Sequence, residues 1–437
     1  MRRELSSIRL MLNSSKCFAL LLFLCFVYFD GLAQSQKNPI VIIPGLLGSE
    51  LINKNTEEKV WFKLSRSKDD DLRLPISANL SENRDNLVPG DVLRQVKVAF
   101  FPSQDIYQGL IRNLVINGWV EATWENPKAR NAFYVFPYDW RLDNIENAKL
   151  LIQKIEFVKW KLKQPNLKFD VIAHSMGGLI ARYAVMYGDE DPPPSLKATW
   201  KGAKHFRRVF LIGTPNKGSV LAFRALLKGY SILRINFNIN LPFLQNLTMF
   251  DLFTIQSVYQ LLPHENVKWV YDENLDLMEI DLFDSNTWEL YGLGIFSEKN
   301  LQEEFDLQVA REYLKAVLER ARIFQKAVSF DSTNKSTVRF FKIGSNCKKT
   351  LGAVLMYREK ARWEVLFENK SVSTEDGKKI DARKLRKLLY TQGDGVVTLD
   401  SLLGKTVNGS DTYIVCEEHD RLAANPDVQR YILERLR

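Results

Sequence analysis

Short, unbroken apolar runs rich in β-branched residues punctuate the first half of the chain, at 38–43, 133–136, 169–173 and 208–212. The first ends at Pro44-Gly45, the second at Pro137 and the last at Gly213-Thr214-Pro215. Runs of this length, bounded by turn residues, predict strands buried on both faces. Between them, residues 144–163 place Leu150, Leu151, Ile155, Val158 and Leu162 at helical spacing, and 178–187 reads as a second helix. Strands alternating with helices imply an α/β protein: a mostly parallel central sheet with helices on both faces. Two stretches break the rhythm. Residues 52–92 are polar and turn-rich, with Asp69-Asp70-Asp71 among them, and read as a long lid-like excursion. Residues 216–330 carry long helical stretches, including 301–327, and no βα alternation, so they predict a helical cap insertion over one sheet edge. Strand-like runs return at 338–343, 354–357, 363–367 and 412–416, and a helix over 426–436 closes the chain.

Composition narrows the class. The chain has 437 residues, 46% hydrophobic and 26% charged, which excludes wholesale disorder, a collagen-like fibre and a polytopic membrane protein. The net charge of +9 suits a negatively charged surface such as anionic lipid, but it is not the dense basic stripe of a nucleic-acid binder. The densest basic cluster, Lys378, Lys379, Arg383, Lys384, Arg386 and Lys387, reads as a solvated helix face, with lipid head-group contact as the alternative. At the N-terminus, Arg2, Arg3, Arg9 and Lys16 precede an uncharged run over 17–29, and Gly31-Leu32-Ala33 follows. That is the pattern of a secretory signal peptide over 1–33, leaving 34–437 as the main domain of an exported protein. An uncleaved anchor is the alternative, although the run is short against the roughly 20 residues of a membrane span. Past residue 33 two cysteines remain, Cys347 and Cys416, and the sequence leaves open whether they pair. Four His and four Cys at scattered positions give no metal-ligand spacing, so no metal is expected.

The strongest chemical signal is Val171-Ile172-Ala173-His174-Ser175-Met176-Gly177-Gly178. A serine between an apolar strand and a helix start sits on a tight turn with its hydroxyl exposed. Small residues are needed two before and two after it, and Ala173 and Gly177 supply them. Such a nucleophile requires a later acid and then a histidine. His174 lies in the turn itself, His205 has no acid-bearing strand end before it, and His264 falls within the cap insertion. His419 follows the last strand, where a sheet-edge base belongs. Asp394, in Gly393-Asp394-Gly395, is the best acid, with Asp400 and Asp381 as alternatives. Backbone N–H groups of Met176 and of Leu46, in the turn after the first strand, are the candidate oxyanion donors. The stretch 235–263 is apolar on more than one helical face, which fits an acyl-binding pocket as well as a doubly buried cap helix.

Together these residues resemble the lecithin:cholesterol acyltransferase family, with its phospholipid:diacylglycerol acyltransferase branch. The matching pieces are IVIIPGLLGSEL (40–51), FPYDWRL (136–142), AHSMGGLIARY (173–183), LIGTPNKGS (211–219), SVYQLLP (257–263), GDGVV (393–397) and EEHDRL (417–422). The resemblance implies an α/β-hydrolase fold, a Ser175–Asp394–His419 triad, an oxyanion hole at Leu46 and Met176, and no cofactor. It also implies transfer of a fatty acyl group from a phospholipid-like ester through an acyl-serine to an alcohol or to water. The alternatives are a lipase or deacylase using water alone, and a catalytically silent lipid-binding protein on the same scaffold. One departure stands out. The vertebrate plasma enzyme of the family brackets its lid with a cysteine pair, whereas 52–92 contains no Cys. In that excursion Trp61-Phe62 is open to two readings, lipid contact or packing on the domain.

Overall fold

The computed structural model describes residues 37–63, 70–96, 104–231, 246–264, 266–297, 304–329, 336–404 and 411–436. The N-terminal segment 1–33 and the 235–245 part of the apolar cap stretch lie outside the described residues.

Seven strands form the central sheet. Their spatial order is Asp411–Val415, Arg339–Ser345, Phe206–Ile212, Phe169–His174, Ile40–Ile43, Ala132–Val135 and Val120–Glu121. Every pairing in it is parallel. The two strands at its centre are buried along their whole length, which is why they appear as continuous apolar runs rather than alternating ones. Two apolar clusters cover its faces. One includes Val41, Val171, Ala173 and Leu211, and the other Ile40, Ile42, Ile172 and Phe210, so successive residues of one strand feed opposite layers. This is the α/β-hydrolase fold. Helix Asn144–Lys161 is capped by Asp143, whose side chain accepts the Ile145 N–H. Helix Met176–Tyr187 is buried at every position, because it is sandwiched between the sheet and the helices over it.

The 52–92 excursion is not loop throughout. Within it Lys59–Trp61 and Leu87–Val92 pair with Ser49–Asn53 in a small antiparallel sheet. These strands are short, one contains Pro89-Gly90, and their pairing is irregular, so no period-two pattern shows in the sequence. The 216–330 stretch is not helical throughout. Its described residues hold helices Val220–Lys228, Met249–Phe253, Gln256–Tyr259, Ser285–Leu290 and Leu307–Val328, but also the strand Val270–Tyr271. That strand pairs with Val354–Glu359, which pairs with Arg362–Leu366, so two of the late strands belong to a separate sheet rather than the central one. The basic helix Ala382–Leu389 turns Leu385 and Leu389 inward and leaves Arg383, Lys384, Arg386 and Lys387 in solvent.

Candidate active site

The carboxyl ends of the central strands converge on one point. Strand Phe169–His174 runs directly into Ser175, which has φ 52° and ψ −124°. A positive φ on a residue with a side chain costs about 1–3 kcal/mol and persists only where the surroundings impose it. Here the Ser175 N–H donates to the Ile212 carbonyl at 2.7 Å, and the Ser175 carbonyl accepts the Gly178 N–H at 3.0 Å. Gly177 permits the close crossing of helix and strand, since a Cβ there would lie 2.3 Å from the Pro44 carbonyl oxygen.

His419 stands opposite, in a short turn after strand Asp411–Val415. Its Nε2 lies 2.9 Å from Ser175 Oγ and its Nδ1 lies 2.7 Å from Asp394 Oδ2. Asp394 and His419 are only 3% and 6% exposed. The second carboxylate oxygen of Asp394 accepts the N–H groups of Val396 and Val397 at 2.9 and 2.7 Å. Burial alone would push the Asp394 carboxyl up. The facing imidazole and these two N–H groups outweigh it, and the net shift is below the usual carboxylate range. The alternatives for the acid lie elsewhere. Asp381 caps helix Ala382–Leu389 through the Arg383 N–H, and Asp400 is exposed and paired with Lys217 at 2.7 Å. His205 sits beside Lys159 and Glu156, and His264 beside Ser329.

A disulfide joins Cys347 and Cys416, the pairing that the sequence left open. The two cysteines follow adjacent parallel strands of the central sheet. Directly after Cys347, strand Lys348–Leu351 pairs with Tyr390–Gly393, which ends at Asp394, while His419 lies three residues past Cys416. The disulfide therefore ties the segment that carries His419 to the start of the strand paired with Tyr390–Gly393, beside Asp394.

The turn after strand Ile40–Ile43 completes the site. Gly45 accepts the Gly48 N–H at 3.1 Å, with Leu47 at φ 64° between them. Gly45 itself lies so close to the Ser175 turn that a Cβ would come 2.9 Å from Ser175 Cβ. Among the described residues no hydrogen bond is made by the N–H of Leu46 or of Met176. The Pro137-Tyr138-Asp139-Trp140-Arg141 stretch supports this turn from below. Tyr138 Oη donates to the Pro44 carbonyl at 2.9 Å, and Trp140 Nε1 donates to the Ser49 carbonyl at 3.1 Å. The fully buried Arg141 bridges Asp85 and Asp139 at 2.5 and 2.8 Å.

A cavity of about 200 Å³ opens at Ser175 and His419. Its walls are largely apolar, with Leu221, Ala225, Leu252, Ile255 and Val258 on the cap side. Both members of the aromatic pair line the cavity, and Trp61 is also buried against Trp140. Phe250, in contrast, packs on Phe305 and lies outside the cavity lining. Among the described residues no cluster of His, Cys, Asp and Glu could hold a metal ion. Sequence reasoning missed Tyr107, whose hydroxyl meets both Gly45 and His174. It carries no motif, and only its contacts across the fold mark it out.

The sequence profile of the lecithin:cholesterol acyltransferase family matches residues 91–433. The chain belongs to this family. Among curated proteins, it is 31% identical over 114 residues to an Arabidopsis thaliana phospholipid–sterol O-acyltransferase, covering 25% of this chain and 18% of that one. It is 25% identical over 319 residues to the uncharacterized Saccharomyces cerevisiae protein YJR098C, covering 71% of this chain and 41% of the other. The chain thus spans less than half the length of these curated relatives. Among solved structures, a chain of the Tle4–Tli4 complex superposes with a TM-score of 0.52 at 12% identity, covering 91% of this chain and 97% of that one. At that identity the likeness concerns the fold alone, and it agrees with the α/β-hydrolase topology of this lecithin:cholesterol acyltransferase family member. No helix among the described residues is long and apolar enough to cross a membrane.

Proposed function

We propose that the protein is a serine-dependent lipid O-acyltransferase or acylhydrolase acting on a phospholipid-like ester. The observation that carries this reading is the unbroken hydrogen-bonded series Asp394–His419–Ser175, opening on an apolar cavity. In the proposed reaction, Ser175 Oγ attacks the ester carbonyl while His419 Nε2 takes its proton. Asp394 holds the Nδ1 proton and stabilises the imidazolium. The N–H groups of Leu46 and Met176 receive the developing oxyanion. His419 then returns the proton to the leaving alcohol, which leaves an acyl-Ser175. Water or an acceptor alcohol, deprotonated by His419, attacks the acyl-serine; the acyl–Oγ bond breaks, the acyl group leaves as the free acid or new ester, and His419 returns the proton to Ser175 Oγ.

The apolar cap wall over the site supports an acyl pocket built from 216–330, and we propose 34–437 as one catalytic domain with 52–92 and that insertion arranged over it. The basic-then-apolar pattern over 1–33 supports export with removal of that segment. The disulfide, of a kind that persists in oxidising compartments, supports it too. N-terminal sequencing of exported protein should begin near residue 34, and a start at Met1 would mean an anchor.

The deciding experiment is product analysis with an acyl-labelled phospholipid and a panel of sterol, diacylglycerol and simpler alcohols. Label in an acylated alcohol identifies a transferase, and label in free fatty acid alone an acylhydrolase. If the wild-type protein releases no acyl group and resists a fluorophosphonate probe, the serine mechanism is wrong and a lipid-binding protein is the better description.

A further inference from the structure

Two buried side chains that the proposed reaction does not use connect the Gly45 turn to the His419 loop. The Tyr107 hydroxyl lies 2.9 Å from the Gly45 nitrogen and 3.0 Å from His174 Nδ1, and His174 Nε2 lies 3.1 Å from the His419 carbonyl oxygen. Donor and acceptor roles follow from the ends of the series. A carbonyl can only accept, so His174 carries its proton on Nε2. Nδ1 is then the acceptor and the Tyr107 O–H donates to it. The phenol oxygen in turn accepts the Gly45 N–H. Each donor in the series meets an acceptor, the His419 carbonyl also accepting the Leu422 N–H at 3.3 Å, and no member needs to be charged. Burial first, and then the neighbouring His419, hold His174 down to about 3, so the ring stays neutral at ordinary pH and this tautomer persists.

The series spans the parts that must be mutually aligned. Gly45 precedes Leu46, the proposed oxyanion donor. His174 precedes Ser175. The His419 carbonyl belongs to the same residue as the proposed base. We propose that Tyr107 and His174 are positioning residues, locking the Gly45–Gly48 turn and the His419 loop into one frame around Ser175. The proposal rests on the serine mechanism above. Packing alone does not require the hydroxyl, since the Tyr107 ring belongs to the apolar cluster on its face of the sheet, lines the cavity and meets the His174 ring edge-on, all contacts that a phenylalanine ring keeps. What the hydroxyl adds is the link between two loops.

Tyr107→Phe isolates that link. It leaves the Gly45 N–H and His174 Nδ1 without partners and frees the turn to rotate. The expected result is a fall in kcat of about 10- to 100-fold with KM within about twofold. Affinity for a boronic acid that forms a tetrahedral adduct on serine should fall by the same factor as kcat/KM, because the adduct and the transition state use the same frame. Active-site titration with a fluorophosphonate should still count one reactive serine per chain, at a slower labelling rate. Wild-type kcat in Tyr107→Phe overturns the proposal. So does a loss in the number of titratable sites with an unchanged rate per site, which would mean simple destabilisation. If Tyr107→Phe does not fold, His174→Gln removes the Nδ1 acceptor while its amide can still reach the His419 carbonyl, and the same split between kcat and KM is read. Absence of labelling in the wild type would instead sink the serine mechanism itself, which keeps the two failures apart.

Discussion

Replacing Asp394 by asparagine should do more than remove a charge, because the surroundings dictate which way the new amide points. One carboxylate oxygen accepts two backbone N–H groups, from Val396 and Val397, while the other faces His419 Nδ1 at 2.7 Å. In Asp394→Asn the amide oxygen must take the position facing the two N–H donors. Placing the NH₂ there would set donor against donor twice, at a cost of about 1–3 kcal/mol for each buried unsatisfied group. The NH₂ therefore points at His419 Nδ1, and Nδ1 must become the acceptor. The imidazole proton moves to Nε2, the atom that faces Ser175 Oγ at 2.9 Å and that, in the proposed reaction, takes its proton. The fold survives, but the base is held in the wrong tautomer. The expected loss is about 10⁴-fold in kcat, equivalent to about 5.4 kcal/mol of transition-state stabilisation, with little change in KM. Hydrolysis of a chromogenic ester, measured beside thermal unfolding of the same preparation, tests this. Turnover within tenfold of wild type in a folded Asp394→Asn protein would refute the reasoning and show that His419 does not depend on this carboxylate.

Ser175→Ala should abolish labelling by a fluorophosphonate and esterase activity while leaving the melting temperature nearly unchanged, since among the described residues the hydroxyl meets only the His419 imidazole; retained turnover would place the nucleophile elsewhere. Ala225→Phe adds a ring to the cap wall of the cavity, so activity across a series of esters should shift toward shorter acyl chains, and an unchanged profile in a folded variant would remove the acyl chain from that wall. His174 gives a pH dependence of stability. Its ordinary value of 6.5 is lowered to about 3 in the fold, so between these values the unfolded chain binds the extra proton. Its stabilising contribution is complete above pH 6.5 and is lost as pH falls toward 3, with a slope of up to about 1.4 kcal/mol per pH unit. Urea unfolding at several pH values should show a slope shallower by about one proton in His174→Gln, and identical slopes would mean that His174 is protonated in the native state.

The two levels of information divide along the range of the interactions. The central strands were legible because parallel strands covered on both faces must be apolar at successive positions, as at Ile40–Ile43 and Phe169–His174. The Ser175 turn was legible for a related reason. A tight strand-to-helix crossing excludes side chains next to it, and the requirement for Ala173 and Gly177 is written within a few residues. Short strands were not legible. Val270–Tyr271 and Lys348–Leu351 exist only through partners at Val354–Glu359 and Tyr390–Gly393, and two to four residues are too few to display a period. Spacing could rank Asp394 above Asp400 and Asp381, but only the tertiary structure determines which carboxylate faces His419, because the contact depends on how the loop after Tyr390–Gly393 meets the loop after Asp411–Val415, strands of two different sheets. The same holds for the Cys347–Cys416 disulfide, 69 residues apart in sequence. It holds most fully for Tyr107. Tyr107 lies in no recognisable motif, and its hydroxyl acquires two partners only because the fold brings Gly45 and His174, 62 and 67 residues distant, to the same buried point.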